Sequence, residues 1–361
     1  MSPDTQAAMM VRQMSLAEKL GQLIIIQFTH MTYTPDQAAL VVPFQPGGVI
    51  LYGYAMGTAP QVRTLLADAQ RDSQIPMFTF TDQEGGVVDR LAGYSGPHMG
   101  APAIAATGNP QVATQQGARA ARDLQSLGFN ADLAPDVDVA LVNGPDQWGR
   151  TFGKDPQTVT TYAGAWLEGL QSQQVVGCLK HFPGLGAATT DAHTSLPVIG
   201  RTRTQFEATE LAPYRALIAT GQVGMVMSTD VLVPALDPNM PAELSRPIIT
   251  GILRDELHFN GVAITDALYM AGITEKWSFA QAAVLAIEAG NDMIMAPWSP
   301  SLIRGILAGL QVALTKGDLS TAQLDASVQR ILALKLRYGL LPRLPVQGSR
   351  WMFNTEAESG G

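Results

Sequence analysis

The chain has 361 residues, 46% of them hydrophobic, with 31 acidic against 23 basic side chains and a formal net charge of -8. That size and apolar share supply a substantial core and exclude a mostly disordered protein, while the acidic balance without a basic cluster excludes nucleic acid as the main partner. A single cysteine, Cys178, excludes an internal disulfide and a cysteine zinc site, and no apolar run reaches the roughly 18 residues that span a bilayer.

From the N-terminus, residues 1–6 carry neither a basic segment nor an apolar one, which sets an expectation of a cytoplasmic protein, with an exported or lipid-anchored one as the alternative where the native gene encodes a leader. Ser15 followed by Glu18 is a capping-box pattern that starts a helix. Short apolar runs then predict strands over 23–28, 48–51, 77–81, 129–133, 175–181, 224–227, 261–265 and 292–295. Longer amphipathic runs predict helices over 59–73, 109–127, 159–172, 205–219, 246–256, 278–289, 301–316 and 321–338. Several of the strands are apolar throughout rather than alternating, as parallel strands covered by helices on both sides must be.

Eight strands joined by helical crossovers fit a (β/α)8 TIM barrel over residues 1–344, with a doubly wound open sheet as the rival. A C-terminal tail over 345–361 mixes Gly, Ser and Glu with an aromatic anchor around Trp351. Polar residues decide for the barrel. Asp82, Asp132, Lys180 and His181, Asp230, and Asp266 all fall where predicted strands end, and strand C-termini converge on one face of a barrel.

The stretch from Lys180 to His193 carries the strongest chemical signal. A buried strand delivers a lysine and a histidine, then Pro183, Gly184 and Gly186 turn the chain into a loop holding Asp191 and His193. Buried basic groups need a ligand or an acidic partner, and such a loop bends sharply and moves. Each residue also has a bland reading. Asp266 sits where an aspartate caps a helix, Asp191 and His193 suit a solvated loop, and Asp82, Arg150, Lys180 and His181 suit a structural ion-pair network. Asp136 and Asp138 suit loop caps or solvent, Asp132 is a further candidate for the pocket, and Asp292 is expected to be structural.

Landmarks in order along the chain connect these residues. They are Asp82-Gln83-Glu84-Gly85-Gly86, Asn130-Ala131-Asp132, Arg150-Thr151-Phe152-Gly153, the Lys180 to His193 stretch, Pro234-Ala235-Leu236-Asp237-Pro238 and Thr265-Asp266-Ala267-Leu268-Tyr269-Met270. In these the chain resembles the glycoside hydrolase family 3 enzymes, in their single-domain β-N-acetylglucosaminidase branch. The resemblance implies a TIM-barrel hydrolase acting on a small carbohydrate; a monomer without a cofactor is expected, and five histidines without an HExxH spacing set an expectation of no metal. It implies Asp266 as nucleophile, His193 as acid and base, and Asp191 as the residue that orients His193. Asp82, Arg150, Lys180 and His181 become glycone binders. The implied reaction is retaining, exo-acting release of terminal β-linked N-acetylglucosamine from muropeptides or chitooligosaccharides. A β-glucosidase, a phosphorylase of the same family and a silent sugar-binding barrel are the alternatives. Three positions depart from the family pattern: Leu185 and Asp230 stand where histidines are usual, and Val87 where an arginine is. Together they predict a more acidic pocket rim.

Overall fold

The computed structural model describes residues 1–145 and 148–342, and the predicted tail over 345–361 lies outside the described residues. Eight parallel strands close into a barrel: β1 (Ile24–Phe28), β2 (Gly48–Leu51), β3 (Phe78–Thr81), β4 (Ala131–Asp132), β5 (Val176–Phe182), β6 (Met225–Ser228), β7 (Val262–Ala267) and β8 (Met293–Met295). Neighbours in the sheet follow chain order, and β8 returns to β1 through Ile24 opposite Ile294 and Ile25 opposite Met295. The open-sheet alternative is thereby excluded. All eight predicted strands are present, seven of them beginning one or two residues later than predicted.

Local signals explain where the helices begin. Ser15 accepts the Glu18 N–H while the Glu18 carboxylate accepts the Ser15 N–H at 2.6 Å, completing the expected capping box. Side chains of Asn109, Asp155, Ser278, Ser299 and Ser320 likewise accept N–H groups at the starts of the long outer helices. The helix predicted over 205–219 is two helices, Arg203–Ala208 and Leu211–Ile218. Pro213 is the reason: it lacks an N–H and is tolerated only in a first turn, so the helix must restart just before it. Pro247–Glu256 winds more widely than an α-helix, and Leu257 N–H reaches back five residues to the Ile252 carbonyl.

Asp292 opens β8 at the end of the barrel where its strands begin. It is wholly buried between Arg254 at 2.6 Å and Arg330 at 2.7 Å, and also accepts the Ala263 N–H at 2.9 Å. Burial opposes its ionisation, but the two guanidiniums outweigh burial and hold the carboxyl below its usual range. A group depressed in this way contributes stability above the unfolded pKa of about 4, and that contribution is lost as pH falls through the lower folded value. Removing one partner of a buried pair costs about 3–5 kcal/mol. Asp292→Asn is therefore expected to lower the melting temperature by about 5 °C or more at neutral pH, with the deficit shrinking below about pH 4. Thermal melts of both proteins across pH check this, and a deficit that grew on acidification would contradict it.

Candidate active site

The opposite end of the barrel, where the strands finish, opens into a cleft of about 610 Å3. Asp82 from the end of β3, Lys180 and His181 from β5, Asp266 from β7, and Arg150 and His193 from loops all line it. Its apolar lining includes Leu133, Met227 and Met295. Six of the seven predicted site residues thus meet in one place. The seventh, Asp191, reaches it through His193.

At its inner end the cleft is a chain of alternating charges. Lys180 Nζ lies 2.9 Å from Asp82 and 2.7 Å from Glu84. Arg150 grips both Glu84 oxygens, at 2.9 and 2.8 Å, and approaches His181 Nε2 at 3.3 Å. Burial disfavours the Lys180 ammonium, but Asp82 and Glu84 reverse this and raise its pKa. Burial likewise disfavours the Glu84 carboxylate, and Lys180 and Arg150 overcome it and depress its pKa. Glu84 is a functional residue that sequence reasoning missed, although it lies only two residues after Asp82.

His181 is held from behind. Its Nδ1 pairs with Asp138 Oδ2 at 2.7 Å, and burial is outweighed by Asp138, so the ring's pKa is raised. Asp136 and Asp138 are neither solvated nor simple loop caps. Both are buried, with the Asp138 N–H donating to Asp136 at 2.8 Å and the Leu185 N–H donating to Asp138 at 2.7 Å. Asp132 is also fully buried and does not line the cleft; it accepts the Gln83 N–H at 2.9 Å and so fixes the segment that carries Asp82 and Glu84. Ligand atoms of Asp136, Asp138 and His181 lie within 4.8 Å of one another, a spacing that suits a metal. Here His181 bonds Asp138 directly, while Arg150 comes no nearer than 4.0 Å to Asp136, whose carboxyl is pushed well above its usual range by burial and then by Asp138.

The loop after β5 has two unlike halves. Leu185 and Ala188 are buried, and the Gly186 carbonyl accepts N–H bonds from Leu141 at 2.8 Å and Val142 at 3.2 Å. A side chain at Gly186 would meet the Val139 carbonyl at 1.7 Å, so only glycine allows this close approach. The inner half of the loop is thus pinned to its neighbours. In the outer half His193 Nδ1 lies 2.9 Å from Asp191 Oδ1, whose carboxylate also accepts the His193 N–H at 2.8 Å. The imidazole is 67% exposed, open to a ligand in the cleft. Burial opposes ionisation of Asp191, but these hydrogen bonds from His193 prevail and lower its pKa.

Asp266 is fixed on three sides. Its Oδ1 accepts the Ala267 N–H at 2.7 Å, its Oδ2 accepts the Thr229 hydroxyl at 3.2 Å, and its own N–H donates to Glu243 at 3.2 Å. The bland reading of Asp266 as a helix cap does not describe this: it lies within β7 and faces the cleft. Asp230 is fully buried and absent from the cleft lining, and exposed Val87 packs against Gly149 away from it. The expected acidic rim is thus corrected, because the acid gained at Asp230 is buried in the barrel wall. Tyr52, Tyr54 and Tyr269 also line the cleft and were missed. Isolated tyrosines carry no spacing signal, and Tyr52 and Tyr269 meet only when the barrel closes.

Fold and site together define a TIM-barrel protein with a carboxylate and an oriented histidine at the strand C-termini, the layout of an acid–base enzyme. Residues 15–334 match the glycosyl hydrolase family 3 N-terminal domain. The chain is 31% identical to a beta-hexosaminidase A of Pseudoalteromonas piscicida, over 90% of this chain and 61% of that one. It is also 31% identical to the beta-hexosaminidase LpqI of Mycobacterium tuberculosis, over 89% of this chain and 83% of that one. A family 3 beta-N-acetylglucosaminidase of a Paenibacillus species superposes with a TM-score of 0.86 at 32% identity, covering 93% of this chain and 65% of that one. The chain belongs to glycosyl hydrolase family 3. It spans a little under two thirds of the length of the Pseudoalteromonas and Paenibacillus relatives.

Proposed function

We propose that the chain is a retaining exo-β-N-acetylglucosaminidase that releases terminal β-linked N-acetylglucosamine from muropeptides or chitooligosaccharides. The observation that carries the reading is the Asp191–His193 pair at the rim of a cleft that also holds Asp266. The beta-hexosaminidase names of the relatives support the 2-acetamido sugar.

In the first step Asp266 attacks the anomeric carbon, the bond to the leaving oxygen breaks, and His193 gives that oxygen the proton on Nε2. Asp191 holds Nδ1–H, which fixes the ring so that Nε2 faces the reaction. In the second step a water gives its proton back to Nε2, attacks the same carbon, and releases the Asp266 carboxylate. Thr229 and the Ala267 N–H hold that carboxylate in place through both steps. Asp82, Lys180, Arg150 and His181 offer the acceptors and donors that sugar hydroxyls require, and the ion pairs of Lys180 with Asp82 and of Arg150 with Glu84 hold them in place. A cleft of about 610 Å3 suits one terminal residue better than a long chain, in keeping with exo action.

Hydrolysis of p-nitrophenyl N-acetyl-β-glucosaminide, compared with the matching glucoside, tests the proposal. Faster release from the acetamido sugar is expected, and a chitooligosaccharide ladder should shorten one residue at a time. No turnover of the acetamido sugar, or early release of internal dimers, would overturn it.

A further inference from the structure

Behind Asp266 lies a second carboxyl, with no cation among the described residues to meet it. Glu243, in the short turn Ala242–Leu244, is completely buried. Its Oε2 accepts the main-chain N–H of Asp266 at 3.2 Å, and its Oε1 has no hydrogen-bond donor among the described residues. The titratable groups facing it are both acids: Asp230, buried just beyond β6, and Asp266 on β7. Its backbone is fixed on either side, the N–H donating to the Thr229 carbonyl at 3.2 Å and the carbonyl accepting Asn291 Nδ2 at 2.8 Å. The side chain therefore cannot swing out to water without breaking this wall of the barrel.

A buried carboxylate with one N–H donor, no cation and two acidic neighbours is an unfavourable ion, and a proton removes the cost. We infer that Glu243 is neutral and protonated in the buried wall it shares with Asp230, and that it positions Asp266 through the main-chain N–H without adding its own negative charge behind it. Burial first, then Asp230 and Asp266, push Glu243 well above the usual carboxyl range, against the single Asp266 N–H that favours the ion. Glu243 is a positioning residue, and its effect on turnover rests on the role proposed for Asp266.

Two measurements separate this inference from the functional reading. In the full chain labelled with 13C at the glutamate side-chain carboxyl, a protonated glutamate signal is expected to persist at about pH 7 and to vanish in Glu243→Gln. That result needs no turnover, and it is read on the wild type even where the variant fails to fold. No protonated glutamate signal in the wild type at that pH overturns the inference. In the enzymatic assay, Glu243→Gln retains a neutral acceptor for the Asp266 N–H. Whatever its effect on the size of kcat/KM, it should leave the acid limb of the pH profile where it is. An acid limb moved to lower pH would show that Glu243 was ionised beside Asp266, and would overturn it.

Discussion

Asp266→Asn is expected to lower kcat on p-nitrophenyl N-acetyl-β-glucosaminide by about 10,000-fold or more, with little change in melting temperature. Losing a covalent nucleophile removes the reaction path itself, so the effect belongs in the range measured for nucleophile deletions elsewhere. The fold should tolerate the change. Asparagine keeps an oxygen for the Ala267 N–H, and Asp266 is only partly buried. Steady-state kinetics and thermal melts on the same preparation check both halves. A variant retaining a tenth of wild-type kcat would remove Asp266 from the mechanism.

The second large effect falls on His193 and depends on the leaving group. A general acid is worth about 100- to 10,000-fold when the departing oxygen needs a proton, and little when it does not. His193→Ala is thus expected to lower kcat/KM by about 100-fold or more on a chitooligosaccharide and by less than about 10-fold on a dinitrophenyl glycoside. On the activated substrate kcat should still fall, because the second step has lost its base, and a burst of phenol should appear. The ring is largely exposed, so stability should hardly change. Equal losses on both substrates would make His193 a structural residue.

The barrel was legible because each strand is a short apolar run between turn residues, and parallel strands buried on both faces leave no alternation to misread. Two early helices, Pro3–Val11 and Pro35–Val41, went unpredicted although their signals are plain: Ser2 and Thr34 cap them, and a proline occupies the first position of each. The break at Pro213 was visible in the same way. The site was legible where chemistry clusters in sequence, as at Lys180, His181, Asp191 and His193. It was opaque where groups meet only through closure of the barrel. Glu243 stands 23 residues before Asp266, and nothing in the spacing says that its carboxyl reaches the Asp266 N–H. Asp230 was read as an acid on the rim because position after a strand does not reveal which way a side chain turns. Burial, not sequence order, separates Asp266 in the cleft from Asp230 in the wall.

The central claim is that catalysis passes through a covalent bond to Asp266. A fluorinated N-acetylglucosaminyl fluoride that forms the glycosyl-enzyme quickly and releases it slowly captures that species for digestion and mass spectrometry. The account predicts one added sugar per chain, on the peptide that contains Asp266 and on that side chain. An adduct on any other carboxylate, or full inactivation with no covalent sugar, would contradict it.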